Sequence, residues 1–132
     1  MILGGEVVAR TRNPLRVLET SHPPVYYLPL ASFTSGAVVP VEGTTFCEFK
    51  GTATYFDLLG GGRRSRRAVW TYEQPAAGFE EIRAHLAVMP GLVDRCTVDG
   101  ELVVPQEGGF YGGWITSGVV GPFKGGPGSR GW

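Results

Sequence analysis

The sequence predicts a mainly β fold, one small domain of short antiparallel strands. Twenty-one glycines and ten prolines among 132 residues place chain reversals at close intervals. Runs rich in β-branched and aromatic residues lie between those reversals. Three Trp, five Tyr and seven Phe supply enough large apolar side chains to argue for a packed core rather than disorder. At roughly 100–200 residues per domain, the length accommodates a single unit.

The elements follow in order. Glu6 to Thr11 reads as a strand bounded by Gly4-Gly5 and Asn13-Pro14, where glycine supplies positive φ and proline removes a donor. Arg16 to Thr20 alternates charge and hydrophobe as a second strand. His22-Pro23-Pro24 interrupts it, because proline cannot serve a central ladder. Val25 to Leu28 is a third strand, stopped by Pro29; the stretch from Leu30 to Gly43 is mixed, with room for a helical turn near Phe33. From Thr44 to Leu59 the pattern is clearest. Period two puts Thr52, Thr54, Phe56 and Leu58 on one face, with Ala53, Tyr55 and Asp57 on the other. Gly60 to Ser65 is predicted to be a flexible basic turn, with Arg67 to Tyr72 returning as the partner strand. Phe79, Ile82 and Leu86 share a stripe at helical spacing, which predicts one short helix over 79–88, ended by Pro90-Gly91. Asp99-Gly100 then marks a hairpin. The chain divides into a β-rich core, 1–107, and an extension, 108–132, holding ten glycines and five aromatics. Free Trp and Phe side chains would promote aggregation, so this extension is expected to dock on the core or on a second copy.

Charge and composition exclude several functions. Twelve basic and twelve acidic residues leave a formal net charge of zero, which removes the bulk electrostatic case for nucleic acid or an anionic membrane surface. No run approaches the roughly 20 apolar residues of a membrane helix. The first residues lack the basic start and apolar run of a secretory signal, so a cytoplasmic location is expected. Two cysteines and two histidines never fall at ligand spacing, and the sequence predicts neither a metal nor a cofactor. Gly121 to Gly126 lacks the order of a phosphate-binding loop. Arg63-Arg64-Ser65-Arg66-Arg67 reads as a solvated hairpin tip in the absence of a wider basic face.

Leu18-Glu19, His22-Pro23-Pro24 with Tyr26-Tyr27, Thr45-x-Cys47-x-x-Lys50-Gly51 with Tyr55, Trp70-x-Tyr72, Asp94 and Asp99-Gly100 occur in that order. In this the chain resembles the bacterial domain-of-unknown-function family 427 from Gly5 to about Val104, with an extension like that of an actinobacterial subgroup. The resemblance implies compact curled antiparallel sheets, Mss4-like or β-tent-like. It implies almost nothing about activity. The nucleotidyltransferase-like label sometimes given to the family fails on chemistry. No Asp-x-Asp pair follows a glycine turn to hold the metal ions such a transfer requires.

Reactive side chains concentrate in two segments. Arg12, Arg16, Glu19 and His22 with Tyr26 and Tyr27 come from the first, and Cys47, Glu48 and Lys50 from the second. If both line one hollow, Arg16, Glu19, His22, Tyr26 and Lys50 would enclose a small polar or anionic metabolite in an aromatic-lined cleft. Solvated charges and core tyrosines are the alternative. An enzyme would use His22 or Glu19 as general acid/base with Lys50 as electrostatic stabiliser. Cys47 is either a nucleophile activated by a nearby cation or a small buried hydrophobe. In a third reading the aromatic extension mediates self-association, as in a homodimer.

Overall fold

The structure is a computed structural model, and it describes residues 1–18, 22–47, 50–106 and 112–118. Twelve strands follow one another: β1 (Ile2–Leu3), β2 (Glu6–Val7), β3 (Leu15–Val17), β4 (Val25–Pro29), β5 (Val38–Cys47), β6 (Gly51–Gly60), β7 (Arg63–Thr71), β8 (His85–Val88), β9 (Thr97–Val98), β10 (Glu101–Leu102), β11 (Val104–Pro105) and β12 (Trp114–Ile115). Six of them form an antiparallel sheet in the order β3-β4-β8-β7-β6-β5. The pairs β1-β2, β9-β10 and β11-β12 are separate two-stranded ribbons. Short 3₁₀ turns occupy Leu30–Ser32, Glu80–Ile82 and Pro90–Leu92, and no α-helix occurs among the described residues.

Alternation along the strands divides the apolar side chains between the two faces of the sheet. Leu28, Leu58, Val69, Leu86 and Val88 join a large cluster that also takes in Leu3, Val8 and Phe33. Tyr27, Ala53, Tyr72 and Ala87 form a smaller cluster with Ile82, against which Tyr55, Trp70 and Phe79 are packed. The predicted alternation of β6 therefore holds, with Phe56 and Leu58 on the first side and Ala53 and Tyr55 on the second.

The helix predicted over 79–88 is not formed. Its first turn is the 3₁₀ turn Glu80–Ile82, and Ala84, at φ 61, reverses the chain into β8. β8 lies between β4 and β7 and is buried on both faces, so Leu86, Ala87 and Val88 are all apolar without alternating. A short apolar run of this kind satisfies a helical stripe and a central strand equally well.

The basic turn is also tighter than predicted. Only Gly61 and Gly62 turn, at φ 53 and 76, and the arginines that follow belong to β7. Two consecutive positive φ values give a two-residue hairpin whose twist matches the strands. The Gly4-Gly5 turn of the first ribbon packs against it backbone to backbone, and a Cβ at Gly60 would stand 2.6 Å from the Leu3 carbonyl oxygen. Arg63 to Arg67 are not merely a solvated tip. Arg63 pairs with Asp94 at 2.5 Å, and Arg64 Nε donates to Asp57 Oδ2 at 2.6 Å. Arg67 lies over the Tyr55 ring at 4.1 Å and donates to the Glu42 carbonyl.

Asp57 organises this end of the sheet. It is 4% exposed and also accepts the Arg67 backbone N–H at 2.8 Å, where Arg67 takes φ 52 at the register shift between β6 and β7. That N–H, followed by the Arg64 side chain, outweighs burial and holds the carboxyl below the usual carboxylate range.

The segment 112–118 is fastened across the sheet. Trp114 is buried in the larger cluster, its backbone N–H donates to the Pro24 carbonyl at 2.8 Å, and its indole N–H donates to Val88 at 3.1 Å. Gln106 exchanges hydrogen bonds with Gly113 through its backbone N–H and its side-chain oxygen. Ser117 closes the segment on the Glu101 carboxylate. Phe110, Tyr111, Phe123 and Trp132 of the predicted aromatic extension lie outside the described residues.

Replacing Trp114 by Ala is expected to cost about 3–5 kcal/mol in urea unfolding followed by circular dichroism, with Trp114→Phe costing about 1–2 through the lost indole hydrogen bond. For Asp57, whose folded pKa is depressed, the stabilisation is complete above the unfolded carboxylate pKa and disappears as pH falls through the folded value. The urea midpoint should therefore drop below about pH 4 in the native protein. Asp57→Asn should be less stable at pH 7 by about 2–4 kcal/mol and show a flatter acid limb.

Candidate functional site

Beside the larger cluster the surface opens into a cleft of about 1030 Å³. Two stretches of chain supply its charged groups. The first leaves the core at Ala9, which bridges to Phe33, and its course is set by a hydrogen bond from the Arg10 N–H to the Ser32 carbonyl. It turns at Arg12, where the Asn13 N–H donates to Thr11 Oγ1, and enters β3 after Pro14. The second runs from Arg95, bridged to Ile2, into the β9-β10 hairpin at Asp99-Gly100. Between them lie the buried side chains of Tyr26, Leu28, Cys96 and Trp114. The Tyr26 and Trp114 rings are 4.9 Å apart and inclined at 45°.

Arg10, Arg12, Arg16 and Arg95 all line this cleft and are all exposed. Among the described residues none of the four has a carboxylate within ion-pair distance. The contrast with the β7 hairpin is informative. A smaller cleft of about 410 Å³ is lined by Arg63 and Arg64, but both guanidinium groups are already bound to carboxylates.

The residues that the sequence singles out are dispersed. Arg16 and Tyr26 face each other across β3 and β4 and share the cleft. Lys50 is buried in the turn between β5 and β6, its ammonium 5.8 Å from the centroid of Phe79, which packs on the smaller cluster. Its backbone carbonyl accepts the Ala76 N–H at 2.8 Å. The half-buried His22 places Nδ1 3.5 Å from the Gln106 amide nitrogen. Neither Lys50 nor His22 lines the cleft of Arg16 and Tyr26. Cys47 is half-buried against the smaller cluster, opposite Gly51 in the register. Glu19 and Glu48 lie outside the described residues.

Arg10, Arg95 and Asp99 are the charged cleft residues that sequence reasoning passes over. Arg10 and Arg12 stand at i and i+2, a spacing that hints at a shared face. Nothing local connects them with Arg95, which reaches the cleft through the pairing of Ile2 with residues 94 and 95.

Cys96 is buried in the cleft wall, and desolvation pushes its thiol up to about 11. A neutral buried thiol is unreactive at physiological pH.

These features define a small antiparallel β-sheet domain with an arginine-lined cleft. Among the described residues no three or more His, Cys, Asp or Glu side chains come together as metal ligands. Residues 1–99 match the family model described as domain of unknown function (DUF427), and the chain belongs to that family. No curated protein matches the chain.

Iodoacetamide at pH 8 is expected to label Cys47 in the folded protein and to spare Cys96, which should react only after denaturation. Peptide mapping by mass spectrometry distinguishes the two sites.

Proposed function

We propose that this domain binds a small anionic metabolite in the arginine-lined cleft. The observation that carries the proposal is the presence of four arginines along one cleft, none with a carboxylate within ion-pair distance among the described residues, in a chain of zero formal net charge. Guanidinium forks recognise carboxylate and phosphate oxygens through charge-assisted hydrogen bonds. Two of the expected ligand-holding residues, Arg16 and Tyr26, belong to this reading, joined by Arg10, Arg12 and Arg95. Tyr26 and Trp114 form an apolar base that favours a ligand with a carbon skeleton over a bare inorganic ion.

The curled β-tent-like arrangement and the actinobacterial-type extension are part of the same reading. The family match ends at residue 99, which accords with a separate segment after the core. A cytoplasmic location accords with two free cysteines, since disulfides are rare in reducing compartments.

Ethyl phosphate is a suitable probe, followed by nuclear magnetic resonance with the Trp114 indole N–H as reporter. Saturable shifts are expected, weakening with salt as ionic screening requires. The double variant Arg12→Ala/Arg16→Ala should bind at least about tenfold more weakly, from the loss of two charge-assisted contacts. Arg83→Ala, outside the lining of the cleft, should bind as the native protein does. Absence of saturable shifts, or equal binding by the double variant, overturns the proposal.

A further inference from the structure

Among the described residues the cleft contains one carboxylate beside its arginines, and its position bears on what the cleft accepts. Asp99 lines the same cleft as Arg10, Arg12, Arg16 and Arg95. It stands at the first corner of the β9-β10 hairpin, with φ 50 followed by φ 81 at Gly100, the two-residue turn of left-handed corners. Asp tolerates this conformation better than most side chains, which suits it to the corner of the turn. Asp99 forms no ion pair among the described residues, even with Arg95 four positions earlier on the same cleft.

Opposite charges that line one hollow ordinarily neutralise each other when the chain lets them meet. Here no such pair is formed among the described residues. Arg10, Arg12 and Arg16 are carried on the stretch that leads from Ala9 into β3, whereas Asp99 is carried on a hairpin tip. A purely polyanionic ligand would gain from the arginines and be repelled by Asp99. A ligand with an anionic group at one end and a cation at the other would be favoured by both.

We infer that the ligand of this cleft is zwitterionic, an anionic metabolite that carries an ammonium group, with the arginines holding its anion and Asp99 its ammonium. The inference rests on the anion-binding reading and adds the second half of the recognition. Asp99 is then a specificity-determining residue, selecting amino-bearing anions over plain ones.

The test compares two probes that share a phosphate monoester and differ in the ammonium, O-phosphoethanolamine and ethyl phosphate. Both are titrated into the native protein and into Asp99→Asn. Asparagine adopts the left-handed corner as readily as aspartate, and an unchanged amide spectrum outside the hairpin verifies the fold. The native protein should bind O-phosphoethanolamine about three- to fivefold more tightly, the range of an exposed ion pair. Asp99→Asn should bind the two probes equally. If ethyl phosphate binds through the arginines but the ammonium brings no gain, or the gain survives in Asp99→Asn, the zwitterion inference is overturned and the anion reading stands. If neither probe binds, both are overturned.

Discussion

The attachment of Trp114 to the central strand is the contact on which the rest of this structure depends. Its indole N–H reaches the Val88 carbonyl, its backbone N–H reaches Pro24 ahead of β4, and its ring lies beside Tyr26. One side chain thus links a segment remote in sequence to β8, to the start of β4 and to the base of the cleft. Burying so large a ring also removes an apolar surface that would otherwise face water beside the arginines. The cleft is bounded below because this segment is docked.

Charge is distributed by role. Three of the four arginines of β7 are structural, since Arg63 and Arg64 neutralise Asp94 and Asp57, and Arg67 covers Tyr55. Those of the first segment and Arg95 lack such partners among the described residues and face a common hollow. A formal charge of zero conceals this partition, because a sum over the chain carries no information about which ions are paired. The chemistry proposed for the cleft follows from the unpaired group, not from the total.

Much of the fold was legible in the residues. The β class, the β6-β7 hairpin and the Asp99-Gly100 hairpin follow from period-two patterning and turn chemistry, both of which are local, whereas the first half of β5 falls in the stretch up to Gly43 that reads as mixed. The helical stripe of Phe79, Ile82 and Leu86 is not a helix, because the continuous apolar run of β8 satisfies a central strand equally well. Only its place between β4 and β7 explains why both faces are apolar. The site was legible in part. Arg16 and Tyr26 share the cleft, whereas Lys50 lies beside Phe79 on the side of the smaller cluster and His22 sits against Gln106. The density of reactive side chains in two segments suggests a common hollow, but a side chain's face is decided by strand register, which one residue of slip reverses.

By itself, the sequence determined the alternation of apolar and polar residues, the positions of the glycine turns and the supply of arginines. Each of these depends on neighbours a few residues away. Tertiary structure alone decided which arginines are paired, that Arg95 and Asp99 join Arg12 and Arg16 around one cleft, and that Trp114 forms its base. Those outcomes depend on pairings between residues tens of positions apart, such as Ile2 with Arg95 and Trp114 with Val88, and no local periodicity encodes them.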